Sequence, residues 1–196
     1  IYRPYKEKKK TKATEAIKNG LEPLAKIIMS FKNVDIKEIA KSYLNENVKD
    51  VEAATEGASY IIAEWISDNA SYRKWIRNNM MNRGIIKTKK KKNSEDNEGT
   101  YEMYYDYEEK IKFIKPHRVL AINRGEKEGV LSVNICVDDD YIISYLEGKI
   151  IKNNDVMSAD IVKNAIKDSY KRLIIPSIER EVRSELKEIS EEAAIK

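Results

Sequence analysis

The sequence contains few of the residues that build cross-linked or metal-binding sites. Its 196 residues include one cysteine, Cys136, and one histidine, His117. A single cysteine excludes an internal disulfide and is typical of a reducing compartment, so we expect a cytoplasmic protein. A zinc site would need carboxylates for nearly every ligand, because only one histidine and one cysteine are present. We therefore expect no metal, and we interpret His117 as a packed or capping residue.

Glycine, proline and long apolar runs are also scarce. Seven Gly and four Pro leave room for long regular elements. No uninterrupted apolar stretch approaches the roughly 20 residues that a membrane-spanning helix needs. Phosphate-loop and Gly-x-Ser-x-Gly patterns are missing, and Ser-His-Asp chemistry cannot be assembled from the spacing. We therefore expect no membrane partner, no cofactor and no enzymatic activity.

Charged residues are abundant, and the two signs nearly balance. They make up 36% of the chain, and hydrophobic residues make up 41%. This composition is typical of a folded domain with a strongly solvated surface. Because 37 Lys and Arg stand against 33 Asp and Glu, the net charge is only +4. The total charge does not identify a nucleic-acid-binding protein, so local clustering has to carry that argument.

Hydrophobic periodicity predicts a mainly α fold, a multi-helical array with a small β excursion. Gly20 should end the first helix, and Asp35, Asp50 and Ser158 should act as N-caps of later ones. Pro176 should kink or break the last helical stretch. Four consecutive stretches follow along the chain: basic N-terminal helices (1–49), a helical hairpin (50–84), a loop with a small β part (85–137) and C-terminal helices (138–196).

The β part is predicted from two short patterns. Residues 85–88 and 130–137 read as strands, whereas residues 89–98 contain no apolar side chain and should form an exposed loop. The Tyr-rich, acidic segment 100–107 allows no assignment. Residues 116–123 should form a helix with proline in its first turn, and residues 138–140 should cap the next helix.

Two lysine clusters are candidate nucleic-acid contacts, since such runs attract phosphates without reading sequence. The alternative for either run is a solvated surface. The second cluster, Lys87 and residues 89–92, is followed by Glu95, Asp96 and Glu98, which offset its charge. Aromatic and guanidinium groups beside the first cluster favour nucleic acid there. The candidate nucleic-acid-binding residues are Arg3, Tyr5, Lys6, Lys8, Lys9, Lys10 and Lys12.

Four segments in order resemble hallmark motifs of the bacterial Tex family of transcription accessory proteins. Residues 3–14 lead into Gly-Leu-Glu-Pro-Leu-Ala at 20–25, and residues 50–58 match a helix motif. Residues 116–121 with 124–131 resemble a third hallmark motif, and residues 170–183 match a fourth. Glu7 stands where the family commonly has proline, and Lys9 and Lys10 replace arginines, which loses bidentate geometry. Between these segments lies a structural motif whose residues are His117, Arg118, Arg124, Gly125, Glu128 and Gly129.

The resemblance implies a helical region at the N-terminal side of a longer protein. Tex-like proteins also carry an RNase H-like domain, helix-hairpin-helix modules and a C-terminal OB-fold that binds RNA. The chain starts at Ile1 without methionine, and its last predicted helix runs to Lys196. We therefore expect a segment that stops before the RNase H-like domain.

Two hypotheses for function remain open. The first is a scaffold that contacts RNA or DNA without strong sequence preference, through the N-terminal lysine cluster. The second is a protein–protein module that docks on the downstream domains or on the transcription machinery. In this second case Arg118, Arg124 and Glu128 would be buried polar groups at a helix-to-strand corner.

Overall fold

The computed structural model describes residues 10–195 and shows a mainly α-helical protein with a small antiparallel sheet, which confirms the predicted fold class. The strands are β1 (Ile85–Lys90), β2 (Asp106–Lys110) and β3 (Leu131–Cys136). The helices are α1 (Lys12–Lys18), α2 (Glu22–Met29), α3 (Ile36–Ala40), α4 (Val51–Asp68), α5 (Ala70–Arg83), α6 (Pro116–Lys127), α7 (Asp139–Ile150), α8 (Met157–Asp168) and α9 (Ile175–Ile195).

The chain folds as two compact units, and each draws on two separate stretches of sequence. Of the described residues, the first unit comprises 10–69 and 143–174, and the second comprises 70–142 and 175–195. This grouping places α4 and α5 in different units, so their antiparallel pairing stays a prediction. The division of the chain into four consecutive stretches likewise stays a prediction.

In the first unit, α4 is the helix against which α1, α2, α3 and α8 pack. Its small and branched side chains, among them Ala54, Ala58, Ile61 and Ile62, are buried at helical spacing. As predicted, Asp50 caps this helix, because its carboxylate accepts a hydrogen bond from the Ala53 N–H at 2.7 Å. The apolar stripe read from the sequence is therefore the core of this unit.

The end of α1 explains the Gly-Leu pair at 20–21. Gly20 has φ +85°, and the N–H groups of Gly20 and Leu21 donate to the carbonyls of Ile17 and Ala16. These two bonds form a Schellman motif, which needs a left-handed residue that glycine supplies most easily. Leu21 then packs against Gly57 of α4, where an added Cβ would lie 2.3 Å from the leucine Cδ1. Gly20 is favoured by its positive φ, and a larger residue at position 57 would force the Leu21 side chain to shift.

The second unit is built on a sheet with strand order β2-β1-β3. Ile86 and Thr88 of the central strand face the core opposite Ile135 and Val133 of β3. The buried Thr88 hydroxyl donates to the Tyr104 carbonyl at 2.7 Å. Helix α9 packs against both α6 and α5, so its apolar stripe of Ile178, Val182 and Leu186 completes this core.

Three local expectations change. β1 continues through Lys90, so the exposed loop begins two residues later than the sequence indicated. The segment left without assignment contains a 3₁₀ turn at Glu102–Tyr104 and the start of β2. The N-cap prediction for Ser158 is wrong, because α8 starts at Met157 after the N-cap Val156 and Ser158 is buried inside the helix. Burial of Ser158 on the apolar face outweighed its capping preference.

The interruption predicted at Pro176 is confirmed. A π-helical segment, Ser169–Ile174, precedes α9, and Pro176 lies in the first turn of α9. Proline lacks the N–H that would continue an α-helical ladder, so the backbone changes its hydrogen-bond period just before it. The buried Ser169 hydroxyl donates to the Ala63 carbonyl at 2.6 Å, which fixes the π segment to α4 within the first unit.

Replacing Gly20 with alanine should lower the free energy of unfolding by about 1–2 kcal/mol, because an L side chain at this positive φ is strained. The control is Gly148→Ala, which lies in α7 with open space around the added Cβ. It should raise stability by up to about 1 kcal/mol, because alanine is the better helix former. Urea unfolding of both variants measures the difference. Equal effects would contradict the role given to Gly20.

Candidate nucleic-acid interface

The structure describes only the end of the N-terminal lysine cluster. Lys10 and Lys12 are both exposed at the start of α1. The two residues line one side of an open groove of about 570 Å³ in the first unit, together with Glu15, Glu56 and Tyr60. The candidates Arg3, Tyr5, Lys6, Lys8 and Lys9 lie outside the described residues.

The start of α1 is fixed to α4 by polar contacts. Thr11 and Thr14 form a capping box, in which the Thr11 hydroxyl accepts from the Thr14 N–H at 3.1 Å. The Thr11 hydroxyl also lies 3.1 Å from Glu64 Oε2. The ammonium of Lys12 sits 4.9 Å from the centre of the Tyr60 ring, a cation–π contact. The last residues of the lysine cluster, Lys10 and Lys12, therefore have a defined position beside α4.

Tyr60 carries a second cation on its ring. The Arg172 guanidinium lies 5.5 Å from the ring centre and donates to Asp168 at 2.9 and 2.8 Å. The hydroxyl of Tyr60 donates to Glu56 at 2.6 Å, and this bond is the main reason why the pKa of Tyr60 is raised. Two cationic groups, the Lys12 ammonium and the Arg172 guanidinium, therefore lie next to the same aromatic ring.

Lys10 has only a weak partner. Its ammonium is 3.5 Å from Glu15 Oε2, and the two side chains are 81% and 45% exposed. Exposed pairs of this kind contribute little and are screened by salt. Lys10 is therefore accessible to an external phosphate.

The second lysine cluster is partly offset by acids, and the sheet supplies additional ones. Lys87 lies opposite Glu108 across β1 and β2, with an ion pair of 3.6 Å. Lys89 lies opposite Asp106, and the Lys90 ammonium donates to the Ser94 carbonyl at 2.7 Å. These cross-strand partners reduce the local charge, which favours the solvated-surface interpretation for this cluster.

Asp96 organises the loop that follows the second cluster. Its carboxylate accepts from the Thr100 and Tyr101 N–H groups at 3.0 and 2.8 Å and from the Tyr105 hydroxyl at 2.7 Å. The backbone bond from Tyr101 is the main cause of the lowered pKa of Asp96. From the sequence alone, Asp96 is interpreted only as an acid that offsets the charge of the second lysine cluster. In the structure its carboxylate also accepts the hydrogen bonds that form a turn.

The structural motif at 117–129 builds the end of α6. His117 and Arg118 lie in its first turn, and the Arg118 guanidinium donates to the Tyr107 hydroxyl at 2.9 Å. Gly129 has φ +80° and ends the helix with Val130, whose N–H donates to the Gly125 carbonyl at 2.9 Å. An added Cβ at Gly125 would lie 2.5 Å from Leu131 Cδ1. The two motif glycines therefore serve the turn from α6 into β3.

The expected burial of the motif charges is wrong. Arg124 and Glu128 are exposed, and Arg118 is half-buried. Glu128 accepts a hydrogen bond from the buried Tyr101 hydroxyl at 2.6 Å. Burial, followed by this bond, raises the pKa of Tyr101 to about 12. The side chains of Arg118, Arg124 and Glu128 reach solvent because the helix-to-strand corner lies at the surface of the second unit.

Two polar contacts of α9 were missed from the sequence. The Glu179 carboxylate accepts from the Ile135 N–H at the edge of β3, at 3.0 Å. Arg183 donates to Glu126 at 2.7 Å and to Asn123 at 2.8 Å, and thereby ties α9 to α6. The match of residues 170–183 to a family motif was the available signal, but it does not identify partners so distant in sequence.

Residues 10–195 lack two other kinds of feature. No group of three or more His, Cys, Asp or Glu side chains in this range could hold a metal ion. No helix in it combines the length and the apolar character needed to cross a membrane.

Comparison with known proteins relates most of the chain to one family. The Tex central region-like family matches residues 32–196. The chain is 51% identical to the protein YdcI of Bacillus subtilis and 31% identical to the transcriptional accessory protein Tex of Neisseria gonorrhoeae, over its whole length in both cases. It is 30% identical over 98% of its length to S1 RNA-binding domain-containing protein 1 of Pongo abelii. It spans only 28%, 26% and 21% of these three relatives, respectively.

Tyr101 should make the second unit sensitive to alkali. Its ordinary pKa of 10.0 is raised to about 12 in the folded chain, so the unfolded state ionises first. The contribution to stability is thus complete below pH 10 and is lost as pH rises through 12. Urea unfolding between pH 9 and 12 should show a shallower decline for Tyr101→Phe than for the unaltered chain. Parallel pH profiles would contradict this assignment.

Proposed function

The chain belongs to the Tex family, and we propose that it is a non-enzymatic helical scaffold that binds RNA or DNA without strong sequence preference. The observation that carries the proposal is the fixed end of the N-terminal lysine cluster, at Lys10 and Lys12, on α4. Lys10 and Lys12 present ammonium groups at the surface, while Thr11 and Tyr60 hold the backbone in place.

Phosphate contact is the chemistry that this cluster supports best. Lysines attract phosphates as point charges and carry no information about base identity, so binding should depend on salt rather than on sequence. Arg3 and Tyr5 add a bidentate donor and a stacking ring in the same short stretch. The name of the Pongo abelii relative refers to RNA binding by a domain of that protein, which supports a nucleic-acid partner for the family.

The absence of enzymatic activity is part of the same proposal. It is supported by the sequence, which has one histidine, one cysteine and no recognised nucleophile pattern. The single cysteine also supports a cytoplasmic location, where thiols are kept reduced. The proposed absence of enzymatic activity can be tested with an assay for hydrolysis of labelled RNA and DNA in the presence of Mg²⁺.

Neutralising the N-terminal lysine cluster should weaken nucleic-acid binding and its salt dependence. The variant carries glutamine at Arg3, Lys6, Lys8, Lys9, Lys10 and Lys12. Loss of six phosphate contacts should reduce the slope of log K against log salt by up to about 4 for a single strand. This slope is measured by fluorescence anisotropy with a labelled 20-nucleotide RNA of mixed sequence, at salt concentrations from about 50 to 300 mM.

A matched control removes the same charge elsewhere in the first unit. Its glutamines replace six exposed lysines: Lys26, Lys32, Lys37, Lys49, Lys152 and Lys167. The control should retain most of the affinity, because these side chains are not in the cluster. Equal losses in both variants would mean that only total charge matters, and unchanged binding in the first would refute the assigned role.

A second candidate function is docking on other domains of a longer Tex protein or on the transcription machinery. The specific observation is the exposure of Ile189 and Ile195 on α9, at 50% and 87%. Burying an isoleucine contributes about 1.5–3 kcal/mol, so two such residues can hold a partner helix or sheet. The chain spans about a quarter of relatives that contain much additional sequence, and these additional parts are the first partners to test.

Docking predicts that Ile189→Glu with Ile195→Glu weakens binding to the remaining three quarters of the Bacillus subtilis relative by more than roughly tenfold. Titration calorimetry with the separately expressed remainder measures the affinity. The control is Ile17→Glu, an exposed isoleucine of α1 in the first unit, which should bind normally. The docking function fails if the α9 variant and its control behave alike.

A further inference from the structure

An open groove of the second unit lies between α6 and α9, and its lining comes from residues 120–128, Val133 and residues 176–191. We call it the α6–α9 groove. It is open to solvent and has a volume of about 1240 Å³. Clefts for small molecules measure roughly 300–1,000 Å³, so this space is suited to part of a polymer. Its basic lining residues are Arg124, Lys127, Arg180, Arg183 and Lys187.

Three of these cations are accessible to a ligand. Arg124, Lys127 and Arg180 are exposed, and none of them forms an ion pair with another residue in the range 10–195. Arg183 has an 18% exposed side chain and is held by Glu126 and Asn123. Two guanidinium forks and one ammonium therefore face the groove with their donors available.

The four carboxylates in the groove have protein partners. Glu126 pairs with Arg183 at 2.7 Å, and Glu128 accepts from the Tyr101 hydroxyl. Glu179 accepts from the Ile135 N–H, and Glu191 lies 4.0 Å from the Lys187 ammonium. The first three acids are held by these bonds, whereas the Glu191 contact is weak, and none of the four forms an ion pair with Arg124, Lys127 or Arg180 in the described range.

We propose that the α6–α9 groove binds the sugar–phosphate backbone of a single-stranded nucleic acid through Arg124, Lys127 and Arg180. This inference rests on the proposed function and adds a contact site separate from the N-terminal lysine cluster. Arginine forks match phosphate oxygens bidentately, which makes these residues suitable anchors.

The mixed lining favours a nucleic acid over an acidic peptide. A strand alternates phosphates with groups that donate hydrogen bonds, such as the ribose 2′-hydroxyl and base amino groups. The groove offers cations for the phosphates, and Glu191, which has only a 4.0 Å contact with Lys187, can accept from such donors.

The test compares three glutamine variants of the whole chain with the same labelled 20-nucleotide single-stranded RNA. The groove variant carries Arg124→Gln, Lys127→Gln and Arg180→Gln. Its matched control carries Lys74→Gln, Lys110→Gln and Lys115→Gln, three exposed lysines of the same unit. Loss of three phosphate contacts should reduce the salt slope by about 2 in the groove variant and leave the control near the unaltered chain. Urea unfolding confirms that all three variants, including the N-terminal one, are folded.

The outcomes separate this inference from the proposed function. A reduced slope in the groove variant alone supports the groove and refutes the N-terminal lysine cluster, and the reverse result refutes the groove only. Reduced slopes in both support both sites, whereas an unaltered chain that does not bind RNA refutes both. Unchanged RNA binding with lost binding of poly-glutamate in the groove variant would overturn the inference in favour of an acidic peptide.

A cross-linking readout shows whether the contact is direct. RNA containing 4-thiouridine should form cross-links to peptides from 120–127 and 176–187 in the unaltered chain. These cross-links should fall in the groove variant and persist in the control. Cross-links confined to peptides outside the groove would overturn the inference even if the salt slope changed.

Discussion

The fold of each unit depends on a leucine that packs against a helical glycine. In the first unit Leu21 lies on Gly57 of α4, and in the second Leu131 lies on Gly125 of α6. In both cases the leucine follows closely on a helix that ends in a Schellman motif, at Gly20 or at Gly129. The left-handed glycine turns the chain, and the helical glycine provides the space into which the leucine packs.

This constraint accounts for the positions of the charged groups in the candidate sites. The turn at Gly20 fixes α1 against α4, which places Lys10 and Lys12 at the surface beside Tyr60. The turn at Gly129 directs the chain from α6 into β3, and α9 then packs on α6 with Arg183 bound to Glu126. In both units, local backbone geometry decides which basic side chains remain accessible to a ligand.

Much of the local structure could be predicted because its causes are close in sequence. Asp50 caps α4 through the N–H of a residue only three positions away, so the sequence contains both partners. Ser158 has the same preference but is buried by packing of α8, which no local pattern reveals. The second strand was missed because Tyr107 and Glu109 are half-buried by partners on other elements, while the acidic composition of the segment did not indicate a strand.

The sequence by itself determined the helical class, the helix starts and stops, and the family motifs. Hydrophobic periodicity, capping residues and left-handed glycines act over a few residues, so their consequences can be read along the chain. Only the tertiary structure decided that residues 10–69 join 143–174 in one unit, and that Arg124, Lys127 and Arg180 line one groove. Such groupings depend on contacts between residues more than 50 positions apart, and charge patterns along the sequence do not encode which of those contacts form.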